Sequence, residues 1–355
     1  MSASYVEHAD TRDDIEIVDD VDALHALANA WSDLGPQRCG PLVSHDWWSC
    51  AARAFDVRLH VILVWRDSRL VAVAPLCRVR RRGIERLELI GARELYEPGQ
   101  FPAVDEQALT SLCRAVAAQG MPVGLERIEA GDPCVAMLAR EGAVRVKAGP
   151  ATLLIPRGIE WREISGSLKN YKYRRRKLEA FGPVAFEMFA PSESEQAPLL
   201  DELVEVESRG WKGRNGTSLR QNRELARFVR DFAARRAALG ELRISRLTCG
   251  GAPAALQLCV EQDGKFWTLK MGYDEKFAAG SPGFVGHVDL MRHAIEARGC
   301  GIECLGVAED WQRQWQMQER RYDAVYFYPN NAAGIAARLM DRLLSAAREL
   351  RSKRG

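Results

Sequence analysis

"LKMGYDEKFAAGSPGFVGHVDLMRHAIEARGCGIECLGV", residues 269–307, decides the architecture. It begins inside an alternating run, "FWTLKMGY" (266–273), which predicts a strand. Strict alternation puts Trp267, Leu269, Met271 and Tyr273 on one face, and Phe266, Thr268, Lys270 and Gly272 on the other. A loop, "EKFAAGSPG", follows, then a helix over 284–299 and a strand in "GIECLGV". Strand, loop, helix and strand make an α/β unit. Gly280 and Gly283 permit close backbone approach, and Pro282 stands near the helix start, where its missing N–H costs nothing. The free amides and the positive dipole end of such a helix form an anion site. Gly280, Ser281, Gly283 and Phe284 are therefore the candidate anion-binding residues. The spacing is not the strict phosphate-loop signature, and a tight turn that binds nothing is the other reading.

Upstream, 241–274 reads as a three-stranded meander, preceded by helices over 196–211 and 222–240 and a strand, "VAFEMFA". The segment 163–182 predicts a helix with Leu168, Tyr171, Leu178 and Phe181 on one stripe, stopped by Gly182–Pro183. Its middle, "KNYKYRRRK", holds six cations, which suit a nucleic-acid patch, an anionic-ligand pocket or a solvated face. Downstream, "DWQRQWQMQERR" predicts a short helix, "DAVYFYP" a last strand, and 333–350 an amphipathic helix. The first half follows a similar plan: helices over 20–34 (N-cap Asp20) and 44–55 (N-cap Ser44), a hairpin over 59–83, a strand in "IERLELIGA", a helix over 105–120, and short strands around "PCVAMLAREG". Residues 1–14 read as a disordered tail. The pattern restarts after Pro156, giving modules over 15–155 and 156–330, and a helix with a basic tail over 331–355. The expected fold class is α/β (α+β): two tandem modules, each a mixed, largely antiparallel sheet flanked by helices.

The 355 residues are 47% hydrophobic and 28% charged, with a net charge of only +2, so the basic segment is local and no nucleic-acid partner is expected. No apolar run approaches the roughly 18–20 residues that span a bilayer. The acidic N-terminus lacks the apolar segment of a signal peptide, and a cytoplasmic location is expected. The nine cysteines are odd in number and scattered, which argues for small buried side chains and against a disulfide framework. No metal site is expected, because no ligand-spaced His or Cys pairs accompany Cys300 and Cys304.

Three segments carry a resemblance: "SLKNYKYRRRKLEAFGPVAFE", "VEVESRGWKGRNGTSL" (204–219) and 269–307. They resemble GNAT-related acetyltransferases of the BioF2-like type, a group that includes proteins associated with bacterial cellulose and exopolysaccharide synthesis. More distantly the chain is similar to Fem-type aminoacyltransferases. The hairpin ending in Ala74-Pro75-Leu76 extends the resemblance to roughly 15–345. It implies two GNAT-like modules and, as co-substrate, acetyl-CoA or another acyl-CoA whose pyrophosphate sits at the loop 280–284. One departure stands out: "AEDWQRQW" keeps Glu309, Asp310, Trp311 and Trp315 but has Gln312 where the family pattern has Lys.

Direct acyl transfer needs a base, a proton donor for the leaving thiolate, and groups that position the acceptor. Glu207 and Asp310, the latter beside Glu309 at the carboxyl end of a strand, are the candidate bases. Tyr273, or less readily Tyr326, is the candidate proton donor. Lys172, Arg176, Trp211, Lys212, Lys270 and Asp274 are the candidate substrate-binding residues, with the basic helix facing a cleft. For the acids and the basic helix a solvated surface role is the alternative, and for the tyrosines a core or rim position. The reading is an acyl-CoA-dependent N- or O-acyltransferase, foremost an acetyltransferase, acting on an anionic or sugar-containing acceptor. The alternatives are a Fem-like transferase that uses aminoacyl-tRNA, and a non-catalytic binding component of an envelope-synthesis assembly. The terminal helix also admits contact with a membrane surface.

Overall fold

The computed structural model describes residues 13–35, 37–164 and 168–352. The first half runs β1 (Asp14–Val18), α1 (Val21–Ala26), α2 (Ala28–Ser32), α3 (His45–Phe55), β2 (Arg58–Leu59), β3 (Val61–Arg66), β4 (Arg69–Ala74), β5 (Leu76–Arg81) and β6 (Ile84–Leu89). It continues with α4 (Ala92–Leu95), α5 (Glu106–Ala118), β7 (Val123–Glu129), α6 (Pro133–Glu141), β8 (Ala143–Ala148) and β9 (Thr152–Ile155). The second half starts with α7 (Trp161–Ile164), α8 (Lys169–Glu179), β10 (Val184–Phe189), α9 (Gln196–Ser208), α10 (Trp211–Arg214) and α11 (Arg223–Ala238). Then come β11 (Leu242–Cys249), β12 (Ala252–Gln262), β13 (Lys265–Tyr273), a 3₁₀ turn (Glu275–Gly280), α12 (Pro282–Arg292), β14 (Gly301–Cys304), β15 (Gln318–Arg320), β16 (Tyr322–Tyr328) and α13 (Ala332–Ser352).

Among the described residues the strands form three sheets: β1-β3-β4, β2-β5-β6-β7-β16-β8, and β10-β11-β12-β13-β14-β9-β15. Each large sheet is mixed, with one parallel pair, β6 with β7 and β13 with β14. The expected class, mixed sheets flanked by helices, is the observed one. The division at 155/156 does not follow the sheets, however. β9 lies in the second-half sheet between β14 and β15, and β16 lies in the first-half sheet between β7 and β8.

Local chemistry sets most element ends. The Asp20 carboxylate accepts from the amides of Asp22 and Ala23, both at 2.9 Å, and Ser44 Oγ accepts from Trp47 N at 3.3 Å, as N-caps should. The expected helix over 20–34 is two helices joined at Leu27. The expected hairpin over 59–83 is three main strands, because Pro75 cannot donate to a ladder and the chain changes sheet there. The disordered tail expected over 1–14 is corrected at its end. Asp13 accepts from Arg66 Nε at 2.8 Å and Ser111 Oγ at 2.6 Å, and Asp14 begins β1. The rest of that expectation, and residues 165–167 of the expected helix 163–182, lie outside the described residues. "DWQRQWQMQERR" is a series of turns followed by β15, since Gln318–Arg320 finds a partner in β9.

One apolar core runs through both halves. Trp47 of α3 meets Phe228 and Phe232 of α11 edge-on, at 4.9 and 5.1 Å between ring centroids. Beside them Asp46 pairs with Arg236 and, at 3.2 Å, with Arg235. All nine cysteines are free and buried.

Candidate active site

The parallel ladder between β13 and β14 is short. It starts at Lys265↔Gly301 and ends at Thr268↔Cys304, whereas β13 continues to Tyr273 against β12 alone. The two strands diverge, and a cleft of about 510 Å³ opens along the released edge of β13. Its walls come from α8 (Asn170, Arg174), α10 (Trp211, Lys212), β13 (Met271, Tyr273), the start of α12 (Ser281, Gly283, Phe284) and the loop after β14 (Glu309, Trp311). A smaller cavity of about 140 Å³ shares Met271, Glu309 and Trp311 with it and reaches Lys270, His287 and Gln312 in the wedge between the strands.

A bulge corrects the alternation read from the sequence. Leu258 pairs with Lys270 but Cys259 with Thr268, so Leu269 is an extra residue and the parity flips there. Thr268, Met271 and Tyr273 therefore share the face toward α12, and Trp267, Lys270 and Gly272 the face toward α9. On that second face Lys270 is half-buried near Glu97. Burial lowers the Lys270 ammonium and raises the Glu97 carboxyl, and their mutual attraction opposes both shifts. Glu97 also accepts from Gly306 N at 3.1 Å, which ties the first half to the loop after β14.

The anion loop divides into two roles. Gly280 is buried, and a Cβ there would collide with Leu178 Cδ2, so this glycine admits α8 and does not line the cleft. Ser281, at φ 50°, turns the chain into α12, whose first turn has no side-chain cap. Gly283 faces the cleft, with Tyr273 Cδ1 3.1 Å from the position of its missing Cβ.

Glu207 is 3% exposed, and both of its oxygens are engaged. Oε1 accepts from Lys212 Nζ at 2.7 Å and Oε2 from Leu219 N at 2.7 Å. Lys212 also donates to the Met271 carbonyl on the released edge of β13, at 2.9 Å. A carboxylate with both oxygens held in this way is a clamp for that lysine. Asp310 is exposed and outside the cleft, whereas its neighbour Glu309 lines both cavities and accepts from Trp311 Nε1. Tyr273 is half-buried, and burial first, then Glu275 and Glu309, raise its phenol, which keeps it protonated at neutral pH. Asp274 caps the 3₁₀ turn by accepting from Lys276 N at 2.8 Å and does not line the cleft. His287 is buried behind Met271, hydrogen-bonded to Gln257, and lowered by burial to about 4.

On α8 the cleft face is Asn170 and Arg174, not Lys172 and Arg176, both of which are exposed. Arg175 turns inward to Asp289 at 3.0 Å, beside the Tyr171 hydroxyl, which donates to Asp289 at 2.6 Å. Of the predicted stripe only Leu178 is fully buried, while Phe181 is 41% exposed. Counting back from Leu178 by one and two turns gives Arg174 and Asn170, a signal the sequence carried. Gln312 is buried, its side-chain oxygen accepting from Glu309 N at 2.9 Å, so it shapes the loop that presents Glu309. Tyr326 lies on the other large sheet, away from this cleft.

Residues 165–326 match the acetyltransferase (GNAT) domain family. No curated protein matches the sequence. Among solved structures, L-PGS from Bacillus licheniformis aligns at a TM-score of 0.55 over 91% of this chain and 96% of its own, with 14% identity. The C-terminal domain of a provisionally assigned lysylphosphatidylglycerol synthetase from Agrobacterium fabrum gives 0.55 over 90% and 96%, with 15% identity. FemX gives 0.54 over 79% and 91%, with 12% identity. At these identities the likeness is one of fold. Residues 165–326 are thus similar to a GNAT acetyltransferase domain, and the whole fold is similar to those of lysylphosphatidylglycerol synthetase domains and FemX.

Proposed function

We propose that this chain is an acyl-CoA-dependent acyltransferase, foremost an acetyltransferase. Its acceptor is an amine or hydroxyl on a sugar-containing or anionic precursor of the cell envelope or an exopolysaccharide. The observation that carries the reading is the cleft along the released edge of β13, closed at one end by the uncapped first turn of α12. The residues present fit such a donor. Amides at Gly283 and Phe284, with Arg174 and Lys212 nearby, suit its phosphates, and the unpaired strand edge suits an extended amide-containing arm.

Acyl-CoA supplies a thioester carbonyl activated for attack. Glu309 takes the proton from the acceptor N–H or O–H as the new C–N or C–O bond forms. Tyr273 gives its proton to the sulfur as the C–S bond breaks. Lys212, fixed by Glu207, neutralises anionic charge on the substrates, and Trp211 walls the acceptor side. Isothermal titration of acetyl-CoA tests the reading. Micromolar binding to the intact protein is expected, lost in Gly283→Asp, which puts a carboxylate into the anion site. Absence of binding by the intact protein, or full binding by Gly283→Asp, overturns it.

The Fem-like alternative is supported by the fold similarity to FemX and by the Arg174 face of α8. A gel shift with bulk tRNA separates the two: salt-sensitive tRNA binding without acetyl-CoA binding favours the alternative.

A further inference from the structure

The six-stranded sheet has a second face that the catalytic reading does not use. One face packs Leu87, Leu89, Val123 and Leu125 into the core. On the other, the register runs Glu88↔Gly124, Gly124↔Tyr326 and Tyr326↔Arg145 across four strands. These residues floor a cleft of about 500 Å³. The hairpin end Arg80–Arg82 and Arg93 form one wall, and α13 forms the other through Met340, Asp341, Leu344 and Ser345. Seven cationic side chains line it against three acids. Two of those acids are already engaged. Glu88 is held by Arg81 at 2.7 Å and Arg93 at 3.2 Å, and Asp341 by Arg86 at 2.7 Å. Arg82 and Lys147 have no ion-pair partner among the described residues.

The same contacts fix how α13 sits. Asp341 also accepts from the Tyr328 hydroxyl at 2.8 Å, Arg145 donates to the Asp341 carbonyl and to Ser345 Oγ at 3.1 and 2.6 Å, and Ala337 is buried. With that side anchored, Ile335, Leu339 and Leu343 point outward, one turn apart, 60%, 55% and 69% exposed. Arg338 and Arg342 are exposed beside them. The apolar stripe and the basic cleft therefore meet along one helix.

We propose that this face docks the protein onto an anionic phospholipid bilayer, with lipid phosphates entering the basic cleft and the α13 stripe entering the boundary between headgroups and acyl chains. A soluble anion would satisfy the cations but leave the stripe in water. A second copy of the chain would cover the stripe but leave the cations uncompensated. A surface that presents phosphate beside hydrocarbon satisfies both. The face belongs to the other large sheet, so the inference stands whether or not the acyltransferase reading holds.

Flotation of the full chain tests this, with vesicles of phosphatidylcholine alone and of phosphatidylcholine mixed with phosphatidylserine. Binding to the mixed vesicles only, weakening with salt, is expected. Leu339→Ser with Leu343→Ser, and separately Arg82→Glu with Lys147→Glu, should each lower the vesicle partition coefficient by about tenfold or more. All four side chains are at the surface of the stripe or cleft, and circular dichroism verifies folding of both variants. Three results would each overturn the proposal. The first is no binding, or equal binding to both vesicles. The second is a dimer of the intact chain that the Leu339/Leu343 variant converts to monomer. The third is saturable pyrophosphate binding that needs Arg82 and Lys147 while vesicles are not bound.

Discussion

Glu207 and Glu309 line one cleft and differ in what already holds them. Glu207 is closed between Lys212 and Leu219 N, while Glu309 is exposed at the wedge. Glu309→Gln should therefore lower kcat by about 10²–10⁴-fold with acetyl-CoA affinity unchanged. Glu207→Gln should act through Lys212, raising KM more than it lowers kcat. Steady-state kinetics on both variants checks the pair, and equal kcat losses would return Glu207 to the role of base. His287 gives a pH prediction. Burial holds it at about 4, below its ordinary 6.5, so between those values the unfolded chain binds more protons than the folded one. Its contribution is complete above pH 6.5 and is lost as pH falls toward 4, with a slope of up to about 1.4 kcal/mol per pH unit. Urea unfolding at pH 7 and pH 5 should show a smaller loss in His287→Gln than in the parent.

At the scale of elements, α8 is a cation-rich helix held by few apolar contacts. Leu178 is its one fully buried residue, and the absent Cβ of Gly280 makes the space that residue occupies. Leu178→Ala should cost about 2–5 kcal/mol. Gly280→Ala should also destabilise, because its Cβ meets Leu178 and the α8 backbone, whereas Gly283→Ala should spare stability and narrow the cleft. Thermal unfolding and acetyl-CoA titration of the three variants separate packing from binding. The six charges of "KNYKYRRRK" were visible in the sequence, and so was the turn-by-turn spacing from Leu178 back to Arg174 and Asn170, but the inward pairing of Arg175 was not. Arg175 is drawn in by Asp289, 114 positions away, and that contact sets which neighbours meet the cleft. The bulge at Leu269 was likewise invisible, because it depends on the partner strand β12.

At the scale of the molecule, the exchange of β9 and β16 makes the halves interdependent. A fragment over 156–355 would lack β9, leaving β14 and β15 unpaired on that side, and would carry β16 without its sheet. Such a fragment should be insoluble or lack a cooperative transition by circular dichroism, where the full chain unfolds in one. Trp47→Ala, at the aromatic joint of α3 and α11, should cost about 3–5 kcal/mol and lower the stability of both halves together. Separate transitions for the two halves would count against a shared core.

By itself the sequence determined the α/β class, the order of most elements, the caps at Asp20 and Ser44, and the strand–loop–helix unit over 269–307. Each follows from periodicity, propensity or capping within about a dozen neighbouring residues. Only the tertiary structure decided that Glu309 lines the cleft and Asp310 does not, that Glu207 is a clamp, that Lys270 faces the first half, and that two strands cross between sheets. Those outcomes rest on pairings between residues far apart in the chain, where register and burial, not local preference, set the free energy of each arrangement.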